Sequence, residues 1–232
     1  MLNLILALAL SAAPAAQPPA LEKPAAAIAM DPAVRKAVDQ MQKFYEETKD
    51  FSSRFEQTYS YKSFARTTRA SGRMKFMKAG AAMRWDYDKP DEKVFVVSGN
   101  KVFAYVKEAK QLTVSPIDTD KLSASVTFLW GQGRLDREFD IAPATRKDLA
   151  GGIALELTPK KPDPRFQKVF FRIDPQTYAV LESIVVDPDG SENRMAFLDV
   201  KTNSGFGKEA FAIDQPADTQ ILRLDQPPAP QK

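Results

Sequence analysis

The 232-residue chain contains no cysteine and no histidine. Zero cysteine excludes disulfides, thiolate nucleophiles and cysteine-ligated metals. Zero histidine excludes histidine-ligated zinc and the imidazole base that most acyl-transfer triads need. Long runs of one charge are missing too. The 33 basic residues lie among 30 acidic ones, and the net charge is only +3. That balance leaves no electrostatic footprint for nucleic acid, so no such partner is expected. Neither a GxSxG elbow, a P-loop nor a GxGxxG turn occurs. Carboxylate chemistry stays open on composition, because Asp86 and Asp88 share a strand face at i, i+2. Acids just before a turn such as DKPDE are usually solvated, however, and neither catalysis nor a cofactor nor a metal is expected.

What is present suits a globular domain with a core: 44% hydrophobic and 10% aromatic residues. Residues 2–10 form an apolar run, followed by small residues and an Ala13-Pro14-Ala15 site. This pattern predicts a cleavable export signal over residues 1–16, too short to span a bilayer. Residues 17–30 are rich in Pro and Ala and predict a flexible leader. The tail 225–232, DQPPAPQK, predicts disorder. Between them, residues 31–224 are expected to form one domain.

Asp31 and Pro32 suit a helix N-cap and first turn. Val34, Val38, Met41, Phe44 and Thr48 then recur at helical spacing. After Asp50 the period becomes two. Phe51, Ser53, Phe55, Gln57, Tyr59 and Tyr61 share one face of a strand. A polar turn region, KSFARTTRAS, is expected before Gly72. Met74 and Phe76 alternate with charged neighbours, as do Met83, Trp85 and Tyr87, and Pro90 stops the strand. SGNK predicts a hairpin turn between Val94–Val97 and Val102–Val106. A helical insertion is expected from about Thr119, with Leu122, Val126, Leu129 and Trp130 on its apolar side and Gly131 as its stop. A second helical turn is expected at Leu135, and strands resume after it. DPDG, ending at Gly190, predicts a turn between two of them. The sum is a mainly β fold: one strongly curled antiparallel sheet with helices on one face.

Two roles for the aromatic strands remain open on pattern alone. The side chains are either ordinary core or the walls of a space for apolar guests, for which methionine is well suited. A resemblance bears on the choice. The motifs FxxxFxQ (Phe51, Phe55, Gln57), GxMxF (Gly72, Met74, Phe76), MRWxYxxP (Met83 to Pro90) and VSGNKVFAY (Val97 to Tyr105), in this order behind an export signal, resemble the LolA family of periplasmic lipoprotein carriers. The resemblance implies an unclosed β-barrel with a helical lid, formed by the N-terminal helix and the central insertion. It implies an acyl-chain cavity, to which Phe51, Phe55, Met74, Phe76, Met83, Trp85, Phe103, Tyr105, Leu122, Val126 and Leu129 are assigned. The implied partners are acylated lipoproteins as cargo, an inner-membrane ABC transporter resembling LolCDE as donor and an outer-membrane receptor resembling LolB as acceptor. LolB itself is a lipoprotein, and the missing cysteine argues against that assignment. A monomer in the periplasm is expected.

In the family an arginine on an early strand holds the lid shut. Lys78 matches that position, with Ala79 where the family has proline. As a latch it would donate to carbonyls of the insertion around residues 122–131. Lysine lacks arginine's planar fork. Arg84 lies on the other strand face by parity and reads as a solvated charge. A binding module for a glycolipid or quinone on the same fold is the alternative function.

Overall fold

The computed structural model describes residues 30–117 and 134–224. The expected export signal, most of the leader, the insertion side chains Leu122, Val126, Leu129 and Trp130, and the tail lie outside the described residues. The first helix, α1 (Pro32–Glu47), starts as its sequence dictates. The Asp31 carboxylate accepts from the N–H groups of Ala33 and Val34 at 2.7 and 3.2 Å, satisfying two donors that a helix start leaves orphaned. Val34, Val38 and Met41 are buried, as the stripe predicts, and Ala37, Gln42 and Tyr45 join them.

Twelve strands follow in one sheet. The first six are β1 (Asp50–Tyr61), β2 (Arg66–Met77), β3 (Ala82–Lys89), β4 (Lys93–Ser98), β5 (Lys101–Val106) and β6 (Gln111–Pro116). A helical turn, α2 (Leu135–Glu138), precedes β7 (Phe139–Pro143), β8 (Ile153–Pro159), β9 (Lys168–Ile173), β10 (Val180–Val186) and β11 (Glu192–Thr202). A short 3₁₀ turn, Lys208–Phe211, precedes β12 (Gln220–Arg223). Much of the stretch expected as a polar turn is strand instead. β2 begins at Arg66, because each residue from Arg66 to Met77 finds a partner on the equally long β1.

The spatial order is β12-β6-β5-β4-β3-β2-β1-β11-β10-β9-β8-β7. Each pair is antiparallel except the first, β12 beside β6, which is parallel. The ends β12 and β7 do not pair, so the curled sheet stays open. Turn chemistry sits where the sequence placed it. Gly99 has φ 59° in the β4–β5 hairpin and Gly190 φ 81° between β10 and β11, a region glycine enters without steric penalty. Gly72 answers a different need. A Cβ there would lie 2.0 Å from the Asp86 carbonyl and 2.9 Å from the Phe55 ring.

The main core lies between α1 and the concave face. Val34, Val38, Met41 and Tyr45 of the helix pack with Phe51, Phe55, Met74, Phe76 and Met83, and with Leu155, Leu157, Phe171 and Ile173 of the far strands. The convex face of β3 to β6 carries a second, separate layer. There the C-terminal segment lays Phe206, Ala210, Phe211 and Ile213 over Val94, Val96 and Phe103.

Candidate functional site

Cross-strand register fixes which side chains share the concave face, since directly paired residues point the same way. Phe51 pairs with Phe76, which pairs with Met83, which pairs with Val97. Ser53 pairs with Met74, and Met74 with Trp85. On the other side of β1, Phe55 pairs with Phe197 and Gln57 with Met195. The structure therefore brings six expected cavity residues together: Phe51, Phe55, Met74, Phe76, Met83 and Trp85. The aromatic rings interlock edge to face. Phe55 lies 5.1 Å from Trp85 and 4.9 Å from Tyr87 by ring centroid, arrangements that the ring quadrupole favours.

Phe103 and Tyr105 are not among them. Phe103 pairs with Val96 and Tyr105 with Val94, the partners of Arg84 and Asp86. Both rings therefore lie on the convex face, where Tyr105 joins Leu112 and Val114. The run VFVV is apolar on both faces because both are covered, so period two could not assign a side to the rings that follow. Sequence reasoning named no concave-face residue from the second half. Leu155, Leu157, Phe171, Met195 and Phe197 pack into the same core there, and the alternation of Ile153, Leu155 and Leu157 with Ala154, Glu156 and Thr158 was the available signal.

Polarity changes along β1. Phe51 and Phe55 are followed by Gln57, whose amide donates to Asn193 Oδ1 at 2.9 Å and whose Oε1 accepts from the Tyr87 hydroxyl at 3.2 Å. Tyr59 donates to Asp187. That bond, more than burial, holds the Tyr59 phenol up at about 12. The concave face is thus apolar beneath α1 and hydrogen-bonded at its other end.

An apolar pocket remains at the C-terminal end of α1. Phe44 and Tyr45 roof it, Phe51 and Ser53 form its floor, and Val180, Phe197 and Val200 close its side. The Tyr45 hydroxyl accepts the Val180 N–H at 3.2 Å, and burial pushes its phenol up to about 12.

Lys78 bears on the same helix end. Its ammonium donates to the carbonyls of Tyr45 at 2.9 Å and Glu46 at 2.7 Å. These belong to the last turn of α1, where four carbonyls lack helical partners and the helix dipole favours a cation. The helix has no basic residue in that turn, so the turn after β2 supplies the charge. The contact expected for Lys78, with residues 122–131, lies outside the described residues. The contact present is with the N-terminal helix. Arg84 departs from its expected solvated state. It grips Asp86 in two-pronged fashion and donates to the Ala212 carbonyl, at 19% side-chain exposure. The C-terminal segment crossing the convex face removes it from solvent.

Among the described residues no cluster of acidic side chains suits a metal ion, and no helix is long and apolar enough to cross a membrane. Comparison with known proteins matches this geometry. The family model described as outer membrane lipoprotein carrier protein LolA matches residues 46–214. An outer-membrane lipoprotein carrier protein of Nitrosomonas europaea is 25% identical over 83% of this chain and 91% of its own length. One from Cupriavidus taiwanensis is 27% identical over 83% and 90%. Among solved structures, an uncharacterized conserved protein of Thermus thermophilus shares the fold with a TM-score of 0.54 and 14% identity, over 82% of this chain and 99% of that one. The chain belongs to the LolA family of outer membrane lipoprotein carriers.

Proposed function

We propose that the protein is a periplasmic carrier that receives acylated lipoproteins from an inner-membrane ABC transporter of the LolCDE kind and delivers them to an outer-membrane receptor of the LolB kind. The observation that carries this reading is the continuous apolar concave face, roofed by a helix whose last turn is held by one lysine from the turn after β2. An acyl chain gains about 0.8 kcal/mol per buried CH₂, so chains of ordinary length need shielding across water. An empty carrier must also hide the shielding surface, since large exposed apolar patches invite association. The helix over the sheet meets both needs if it can lift. No step of the task calls for bond chemistry, and the carrier needs no catalytic group.

Met83, 6% exposed in the middle of this face, supplies the direct test. Met83→Glu puts an unpaired carboxylate where acyl chains would lie, which is unfavourable in an apolar site. The folded variant is expected to lose release of lipoproteins from spheroplasts, with its circular dichroism spectrum kept. Full release by a folded variant would contradict the reading. Mass spectrometry of co-purified ligand separates it from the alternative. Diacyl or triacyl lipopeptide supports the carrier, whereas glycolipid or quinone would replace it with a binding module.

A further inference from the structure

Ser53 is an anomaly in the apolar face. It is only 5% exposed, and its hydroxyl has no hydrogen-bond partner among the described residues. Buried polar side chains nearly always find one, so an orphan calls for an explanation. The neighbouring ladder supplies the geometry. Between Ser52 and Arg54 the pairing of β1 with β11 slips, and Asp199 takes φ 53° at the slip. The bulge sets two residues of β11, Asp199 and Val200, against Ser53 alone. Val200 and Phe197 line the apolar pocket together with Ser53. The other hydroxyl of the pocket, on Tyr45, already accepts a backbone N–H. The pocket also sits at the end of the concavity, beside the exposed contact between the Lys49 N–H and Asn203. A chain entering here could run inward over Phe55 and Trp85 with its polar root near solvent.

We propose that this pocket seats the root of one cargo acyl chain, and that the Ser53 hydroxyl donates to the ester carbonyl of that chain. The inference rests on the carrier reading and adds a polar specificity contact to it. An ester carbonyl is the group that suits the site. It accepts without donating, is uncharged, and occurs where an alkyl chain begins. Ser53 would then let the pocket distinguish an acylated cargo from a bare hydrocarbon.

The test compares a dipalmitoyl lipopeptide with its di-O-hexadecyl ether analogue, which keeps the chains and lacks the carbonyls. Both are titrated against wild type, Ser53→Ala and Ser53→Thr. The Ala variant should bind the ester ligand about three- to tenfold more weakly, the range of one neutral hydrogen bond. It should bind the ether analogue as wild type does, and Thr should restore the ester preference. The empty Ala variant should melt no lower than wild type, because it loses only an unpaired buried group. Equal weakening for both ligands, no weakening for either, or a lower melting temperature would each overturn the assignment. Dipalmitoyl phosphatidylglycerol bound as tightly as the lipopeptide, with the same Ser53 dependence, would transfer the site to phospholipid and overturn the cargo named here. A wild-type protein that binds none of the three would overturn the carrier reading itself, a failure distinct from a silent Ser53.

Discussion

Tyr45 shows how one side chain ties the helical roof to the sheet. Its ring packs against Phe44 and Phe51, and its hydroxyl accepts from the first residue of β10. Burial raises its phenol from 10.0 to about 12. Between those values the folded protein keeps a proton that the unfolded chain has lost, so stability falls as pH rises through that window. The loss amounts to roughly 2–3 kcal/mol from a shift of this size. Tyr45→Phe lacks the titration and also leaves the Val180 N–H unpaired. Wild type should therefore exceed Tyr45→Phe in urea stability at pH 8, and the gap should close or reverse by pH 12. Tyr59, also raised to about 12, is common to both proteins and cancels. A gap independent of pH would mean that the phenol is not buried in solution.

At the scale of elements, the join between α1 and the sheet decides how the roof can move. Its apolar stripe covers the concavity, but Lys78 clamps only the last turn. A hydrogen bond to a charged donor contributes about 1.5–3 kcal/mol. Lys78→Leu should raise amide exchange at the C-terminal end of α1 by roughly ten- to a hundredfold, which is that energy expressed as an opening constant. Exchange in β8 and β9 should stay near wild type. Lys78→Arg should protect the helix end at least as well as lysine, since guanidinium can span both carbonyls. Equal exchange in Lys78→Leu and wild type would make Lys78 an ordinary surface residue. Asp148 belongs to another such join, on the convex face. The Arg146 guanidinium, followed by Arg194, holds its carboxyl well below the usual range. Together with Glu182 and Arg172 it links the segment before β8 to β9, β10 and β11.

The whole molecule is a sheet with two buried faces serving different ends. The concave face is covered by a helix, with an apolar pocket at the end of that helix. The convex face of β3 to β6 is sealed by the chain's own C-terminal segment through Phe211 and the Arg84–Ala212 contact. Substitutions should separate accordingly. Phe211→Ala, in a site 5% exposed, should destabilise the fold by about 3–5 kcal/mol while leaving lipopeptide affinity within a factor of two or so of wild type. Trp85→Ala should weaken lipopeptide binding by about tenfold or more, because an aromatic wall is lost from the site. Isothermal titration beside thermal melts reads both. Loss of affinity in Phe211→Ala at a temperature where it is fully folded would show that the two faces are coupled.

Local chemistry was written plainly in the chain. Asp31 and Pro32 marked where the helix starts, the glycines of SGNK and DPDG marked turns, and alternation from Phe51 to Tyr61 assigned one face of β1. The absence of cysteine and histidine bounded the chemistry, and the ordered motifs from Phe51 to Tyr105 pointed to the family. These features are legible because each depends on a few neighbouring residues. The tertiary structure alone decided what lies on either side of the sheet. Phe103 and Tyr105 look like cavity residues by type, yet the register of β4 and β5 turns them outward, under a segment a hundred residues further on. Lys78 reaches a helix end more than thirty residues before it. Ser53, whose hydroxyl finds no partner among the described residues, faces a bulge in β11 that no local pattern announces. A strand has two faces, and sequence period tells them apart only when one is wet. Where both are covered, long-range pairing makes the choice.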